Sequence, residues 1–172
     1  MRRTQQLRAA LVQAGQEAQI LSFYPLAPGD RLTDREWAAH CDALRAGLDA
    51  KIAHFDPHLV HVEHSCLLAQ IALEAGVPYV IHAAVGDLFD DPDDARWQEV
   101  IENALDNAGR IIVRDDIALR TASTKFPDVE AERWVALPAL NDAGAHVDPP
   151  VADLLLLYRA VLVERFGKPI RP

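Results

Sequence analysis

A parallel α/β sheet covered by helices is the fold this sequence predicts, on two observations. Short apolar runs alternate with segments of helical length along the chain. Each run is almost continuously apolar rather than alternating, the mark of strands buried on both faces.

The elements follow in order. Over residues 4–14, Leu7, Ala10, Leu11 and Ala14 recur at helical spacing, and Gly15 is a natural stop. AQILSF (18–23) reads as a strand and PLAPGD as a turn, after which Thr33 or Asp34 caps a second helix reaching about Ile52. Pro57 breaks the chain before LVHVEH (59–64), a short β-branched strand. Ser65 can cap a third helix, CLLAQIALEAG, which closes at Gly76, and VPYVIH (77–82) follows as a strand. Asp91 is a suitable N-cap, with Pro92 at the first helical position and Asp93 and Asp94 beside the positive helix end, for a helix reaching about Ala108. RIIVR (110–114) is the next strand, a helix starts from Asp115 or Asp116, and RWVALP (133–138) is the last strand. Pro149 and Pro150 open a final helix that ends near Phe166, with Gly167 beyond it. Strands alternating with helices in this way predict a Rossmann-like doubly wound parallel sheet with helices on both faces. The whole chain, 1–172, reads as a single domain, with 150–167 its closing helix.

Composition narrows the function. Half the residues are apolar and a quarter charged, the profile of a soluble globular protein. Against 17 bases stand 26 acids, a net charge of −9, and the pI is near 5.1. A nucleic-acid binder needs a basic stripe, so that class is not expected. The two cysteines, Cys41 and Cys66, have no CxxC spacing and suit a reducing compartment as small apolar residues. Glutamines interrupt the basic start MRRTQQLRAALVQAG, which therefore lacks a secretory apolar core. The apolar run LLLLYRAVLV contains Arg159 and is too short to span a bilayer. A cytoplasmic location and no transmembrane segment are the expectations.

In a doubly wound sheet, ligands bind beyond the carboxyl ends of the strands. The residues expected there are Tyr24, Glu63 with His64, His82, Asp115 with Asp116, and Asn141 with Asp142. His82 stands out, because an imidazole at a strand end can orient a sugar hydroxyl near neutral pH. The competing structural reading is a strand-end histidine satisfied within the fold. As a functional residue His82 should be partly accessible, and its loss should cost no more than about 1 kcal/mol. His61, inside its strand, reads as a packing residue, while His64 points into the cleft if the strand ends there. HVEH brings zinc to mind, but metal ligands on a strand favour alternate positions and HExxH is absent, so no metal is expected. In DLFDDPDD, helix capping accounts for three acids, and Asp87 is left as a candidate for a ligand hydroxyl. No GxGxxG follows a strand, and P-loop and GxSxG motifs are absent among only eight glycines. No tightly bound cofactor is expected.

Several segments, in order, resemble the N-terminal, acceptor-side domain of GT-B glycosyltransferases of the family-4 type. LRAALVQAGQEAQIL resembles their first helix and second strand, and FDPHLVHVEHSCLLAQIALEAGVPYVIHA resembles their PDvvhahs…giPvvvt.H segment over its whole length. NAGRIIVRDDIAL stands where that family has ADxviavS, and VALPALND where it has vipNGvD, so the likeness spans about residues 5–148. The final helix, VADLLLLYRAVLVERFG, resembles the helix with which these enzymes cross back onto the N-terminal domain; a well-buried core helix is the alternative.

The resemblance implies a sugar transferred from a nucleotide sugar to an acceptor held by this domain. It implies that His82 is the cleft histidine near the transferred sugar, in a catalytic role. Glu63, His64, Asp87 and Asn141 are then the candidate acceptor-binding residues. It also implies that the family's first strand, its glycine-rich turn and the donor-binding domain are missing, so the chain alone should be inactive. A donor-binding partner chain or a homo-oligomer would complete it, and the gap left in mid-sheet by the missing strand would be filled by a partner or by another segment of this chain, or the remaining strands would close up. Nucleotide sugar would be a donor only in that complete enzyme. The alternatives are a non-catalytic binding or assembly subunit that keeps the fold, and an unrelated flavodoxin-like binder of small molecules.

Overall fold

In the computed structural model, the described residues are 2–21, 32–63, 65–83, 88, 95–137 and 151–166. Their elements in chain order are α1 (Arg2–Gln13), α2 (Asp34–Phe55), β1 (Val60–Glu63), α3 (Cys66–Glu74), β2 (Tyr79–His82), α4 (Ala95–Asp106), β3 (Arg110–Val113), α5 (Asp116–Lys125), β4 (Trp134–Ala136) and α6 (Val151–Phe166). A single 3₁₀ turn, Ala131–Arg133, leads into β4.

Local signals explain most of the boundaries. Thr33 and Glu36 form a reciprocal capping box at the start of α2, with Thr33 N–H donating to Glu36 Oε2 at 2.9 Å and Glu36 N–H donating to Thr33 Oγ1 at 3.3 Å. Ser65 Oγ accepts from Leu68 N–H at α3, and Asp115 Oδ1 accepts from Ala118 N–H at α5. Gly15 and Gly76 end their helices at φ +80° and +75°, the left-handed backbone that glycine adopts without a Cβ clash. Asp91 to Asp94, expected to cap α4, lie outside the described residues.

Among the described residues the sheet has four strands, all parallel, in the order β1-β2-β3-β4. Parallel neighbours joined by right-handed crossovers put their connecting helices on one side, here α3, α4 and α5. The pleat divides the side chains accordingly. Tyr79, Ile81, Ile111, Val113 and Trp134 belong to the larger core under those helices, together with Leu67, Ile71, Trp97 and Leu105. Ile112 faces the other way and packs with Leu7 of α1 and Leu154 and Leu157 of α6, with Val135 against them. Helices therefore cover both faces, and β2 is buried at every position. α6 is a core helix, with Leu154 wholly buried.

Two sequence expectations are corrected. The AQILSF strand is not present over 18–21, while residues 22 and 23 lie outside the described residues. Burial alternates along 16–21 as it would in a strand, but none of the described strands pairs with the segment, and the Ala18 carbonyl accepts from Arg8 Nε at 2.9 Å instead. The gap expected in mid-sheet is also absent from the described strands, which are contiguous. They run in consecutive order, with β1 at one edge among the described strands.

α6 is tied down at two points. Arg110 donates to Glu164 through Nη1 at 2.8 Å and through Nη2 to the other carboxylate oxygen, a two-pronged ion pair between β3 and α6. Next to it, a Cβ added to Gly109 would lie 2.5 Å from Val161 Cγ1 and 2.8 Å from Cγ2, so this loop meets α6 with no room for a side chain. Gly109→Ala should therefore destabilise the protein by about 1–3 kcal/mol through overpacking, read as a lower urea midpoint.

The ion pair supplies a second test. Hydrogen bonding to Arg110 holds the Glu164 carboxyl below its ordinary value. A lowered folded value means the stabilisation is complete above the ordinary carboxylate range and is lost as pH falls through the folded value. Because the Glu164 side chain is 56% exposed, the pair contributes no more than about 0.5–1 kcal/mol. Glu164→Gln should lose that amount at neutral pH, and denaturation curves of variant and parent should converge on acidification.

Candidate functional site

The carboxyl ends of β1 and β2 bring together residues far apart in sequence. Glu63 pairs in register with His82, and His82 with Ile112, so these side chains leave the sheet on the same face. His61, two residues before Glu63, shares that face by the period of the strand. Its cover is α6. There Tyr158, one turn beyond Leu154, puts its hydroxyl 2.5 Å from His61 Nδ1. The His61 and Tyr158 rings meet edge to face at 5.8 Å between centroids, and the His61 and His82 rings at 6.2 Å.

The cluster is enclosed. His82 is 1% exposed, and His61 and Glu63 are half-buried. One donor atom from each of His61, Glu63 and His82 lies within 4.8 Å of the other two. Burial first, and then the negative charge of Glu63, pushes the Tyr158 hydroxyl well above its ordinary value, so it stays protonated across the physiological range.

The strand-end residues named from the sequence meet different fates. His82 and Glu63 do come together at the carboxyl edge. His64, Asp87 and Asn141 lie outside the described residues, as do Tyr24 and Asp142. Asp115 is engaged as the N-cap of α5 and receives Arg114 Nε at 2.8 Å, and these hydrogen bonds hold its carboxyl below the ordinary value. The expectation of an accessible His82 is overturned. Its backbone ends a strand, but its side chain follows the pleat onto the face that α6 covers. Two members of the cluster were not proposed as functional from sequence. His61 read as packing because its partners were unknown, and Tyr158 sits in a leucine-rich helix with nothing local to mark it. The available signal was the spacing of His61 and Glu63, two residues apart on a strand.

A second concavity lies on the far side, between α2, α3 and α4, lined by Trp37, Cys41, Arg45, Gln70, Glu74 and Arg96, among others. Its polar groups engage one another. Arg45 pairs with Glu74 and Asp42, Asn103 Nδ2 donates to Gln70 at 2.5 Å, and Arg96 lies 5.0 Å over the Trp37 ring while pairing with Asp34. Cys41 borders this groove and Cys66 is buried, both as free thiols; burial raises the Cys41 thiol. With Arg45, Glu74, Asp42 and Arg96 paired, this groove is a weaker site than the β1–β2 cluster.

No protein-family model matches the chain, and no curated protein or solved structure is significantly similar to it.

Enclosure sets the stability cost of opening the cluster. His82→Ala should destabilise by about 2 kcal/mol or more, because the cavity left under α6 cannot fill with solvent freely. Tyr158→Phe should cost about 1–2 kcal/mol by taking a partner from His61. Chemical denaturation of both variants checks the pair of values.

Proposed function

We propose that the chain is the acceptor-side half of a GT-B-type glycosyltransferase, in which a donor-binding domain, on the same polypeptide or on another, supplies the nucleotide sugar. The observation that carries this reading is the agreement of two orders. The segments LVHVEH, VPYVIH, RIIVR and RWVALP follow one another as the family's motifs do, and they are adjacent parallel strands in that same sequence. Their carboxyl ends share one edge, where such a sheet binds ligands. In this reading the strand-end backbone and loops meet the acceptor, including those bearing His64, Asp87 and Asn141. The enclosed His82 acts as a positioning residue that holds the β1 and β2 ends together, rather than as a group that touches the sugar.

A non-catalytic assembly subunit is the second reading, favoured by a different observation. Leu156 and Val163, two turns apart on α6, are 63% and 40% exposed, and Phe166 at its end is 54% exposed. Among the described strands, β1 is an edge. Sedimentation across a concentration series addresses this reading directly, since an assembly subunit should self-associate or require a partner, while a strict monomer argues against self-assembly. No helix of the described residues is long and apolar enough to cross a membrane.

The transferase reading predicts that a panel of mono- and oligosaccharides binds weakly to the purified chain, detected by saturation-transfer NMR. Amide shifts should gather at residues 63, 82–83, 114–115 and 136–137, the carboxyl ends of the strands. Nucleotide sugars should be neither hydrolysed nor used by the chain alone. Shifts confined to the amino ends of the strands, or no carbohydrate binding across the panel, would remove the reading.

A further inference from the structure

We propose that His61, Glu63 and His82 form a binding site for a divalent transition-metal ion, zinc in the first instance, beneath α6. The inference is independent of the transferase reading, since it rests on donor geometry alone.

Three features support it. The first is convergence, because the donor atoms of two imidazoles and one carboxylate, from two strands, already lie within 4.8 Å of one another. Zinc holds such ligands about 2.0–2.2 Å from the ion, which places them roughly 3.3 Å apart in a tetrahedron. Zinc binding would therefore draw the three side chains closer together than they stand here. The second is framework. His61 and Glu63 stand at alternate positions of β1, and Glu63 is in register with His82 on β2, so the paired backbones fix the origin of all three side chains.

The third is support around the donors. A histidine that binds metal through one nitrogen usually donates its other N–H to a neighbour, which fixes the tautomer and the ring plane. Tyr158 Oη, 2.5 Å from His61 Nδ1, is placed to accept that proton. With Nδ1–H turned to Tyr158, Nε2 of His61 carries the lone pair for the ion. Tyr158 is thus a positioning residue for the site.

The donor set also selects the ion. Two imidazoles disfavour magnesium and calcium, which take oxygen ligands, and suit zinc and its first-row neighbours. Two neutral histidines and one carboxylate leave a bound divalent ion with a net charge of +1 and a fourth position for water or another ligand.

The test is zinc binding to the metal-stripped full chain, followed by isothermal titration and by competition with a chromogenic chelator. One zinc per chain is expected, together with a rise in melting temperature. Glu63→Gln and His61→Ala should each weaken binding at least about tenfold. His54→Ala and His58→Ala, both at exposed positions, should leave it unchanged. Tyr158→Phe should weaken binding and alter the visible spectrum of the cobalt-substituted protein, a change that simple destabilisation does not produce. His82→Ala removes the third ligand, and if it does not fold, Glu63→Gln and His61→Ala decide the matter. No zinc uptake by the parent chain, or uptake that survives both of those substitutions at full affinity, would overturn the site.

Discussion

A parallel sheet must be covered on both faces, and this requirement organises everything else in the molecule. The right-handed crossovers between β1, β2, β3 and β4 send α3, α4 and α5 to one side. That leaves the side bearing Ile112, Val135 and His82 to be covered by helices from the two ends of the described chain, α1 and α6. Without α6, strand β2 would lose one of the two burial surfaces that make YVIH wholly enclosed. The tight fit of Gly109 against Val161 and the Arg110–Glu164 pair are how this distant segment is held in register with the sheet.

The two faces differ in chemistry as well as in origin. Under α3, α4 and α5 the core is large and almost purely apolar, and the Tyr79 hydroxyl within it donates to the Ala104 carbonyl at 2.8 Å. Burial pushes that hydroxyl up, and it remains a neutral donor joining β2 to α4. Under α6 the apolar contacts are fewer, and the strand ends contribute two imidazoles and a carboxylate where a core of this kind would otherwise hold leucine or valine. Buried polar groups of this sort cost free energy unless they are partnered. The His61–Tyr158 contact shows that the helix is adapted to them.

Position in the sheet places that cluster at the carboxyl ends of β1 and β2. His82 ends β2 and Glu63 ends β1, so whatever orders their side chains also orders the backbone from which the following loops depart. On the opposite side of the domain, the groove between α2, α3 and α4 has its charges paired among Arg45, Glu74 and Asp42, an arrangement suited to joining helices.

By itself the sequence determined the elements that depend on local physics. The caps at Thr33, Ser65 and Asp115, the glycine stops at Gly15 and Gly76, and the apolar runs of β1 to β4 are all short-range signals, and the parallel α/β class follows from their alternation. AQILSF failed over 18–21 because an extended segment becomes a strand only when a neighbour accepts its hydrogen bonds, and no local pattern reports a neighbour. The same limit applied to the site. That Glu63 and His82 stand at strand ends was legible; that their side chains turn away from solvent was decided by α6, whose start lies almost seventy residues after His82 in sequence. Tyr158 could be joined to His61 only by the tertiary structure, because a contact across 97 residues leaves no periodic trace in either segment.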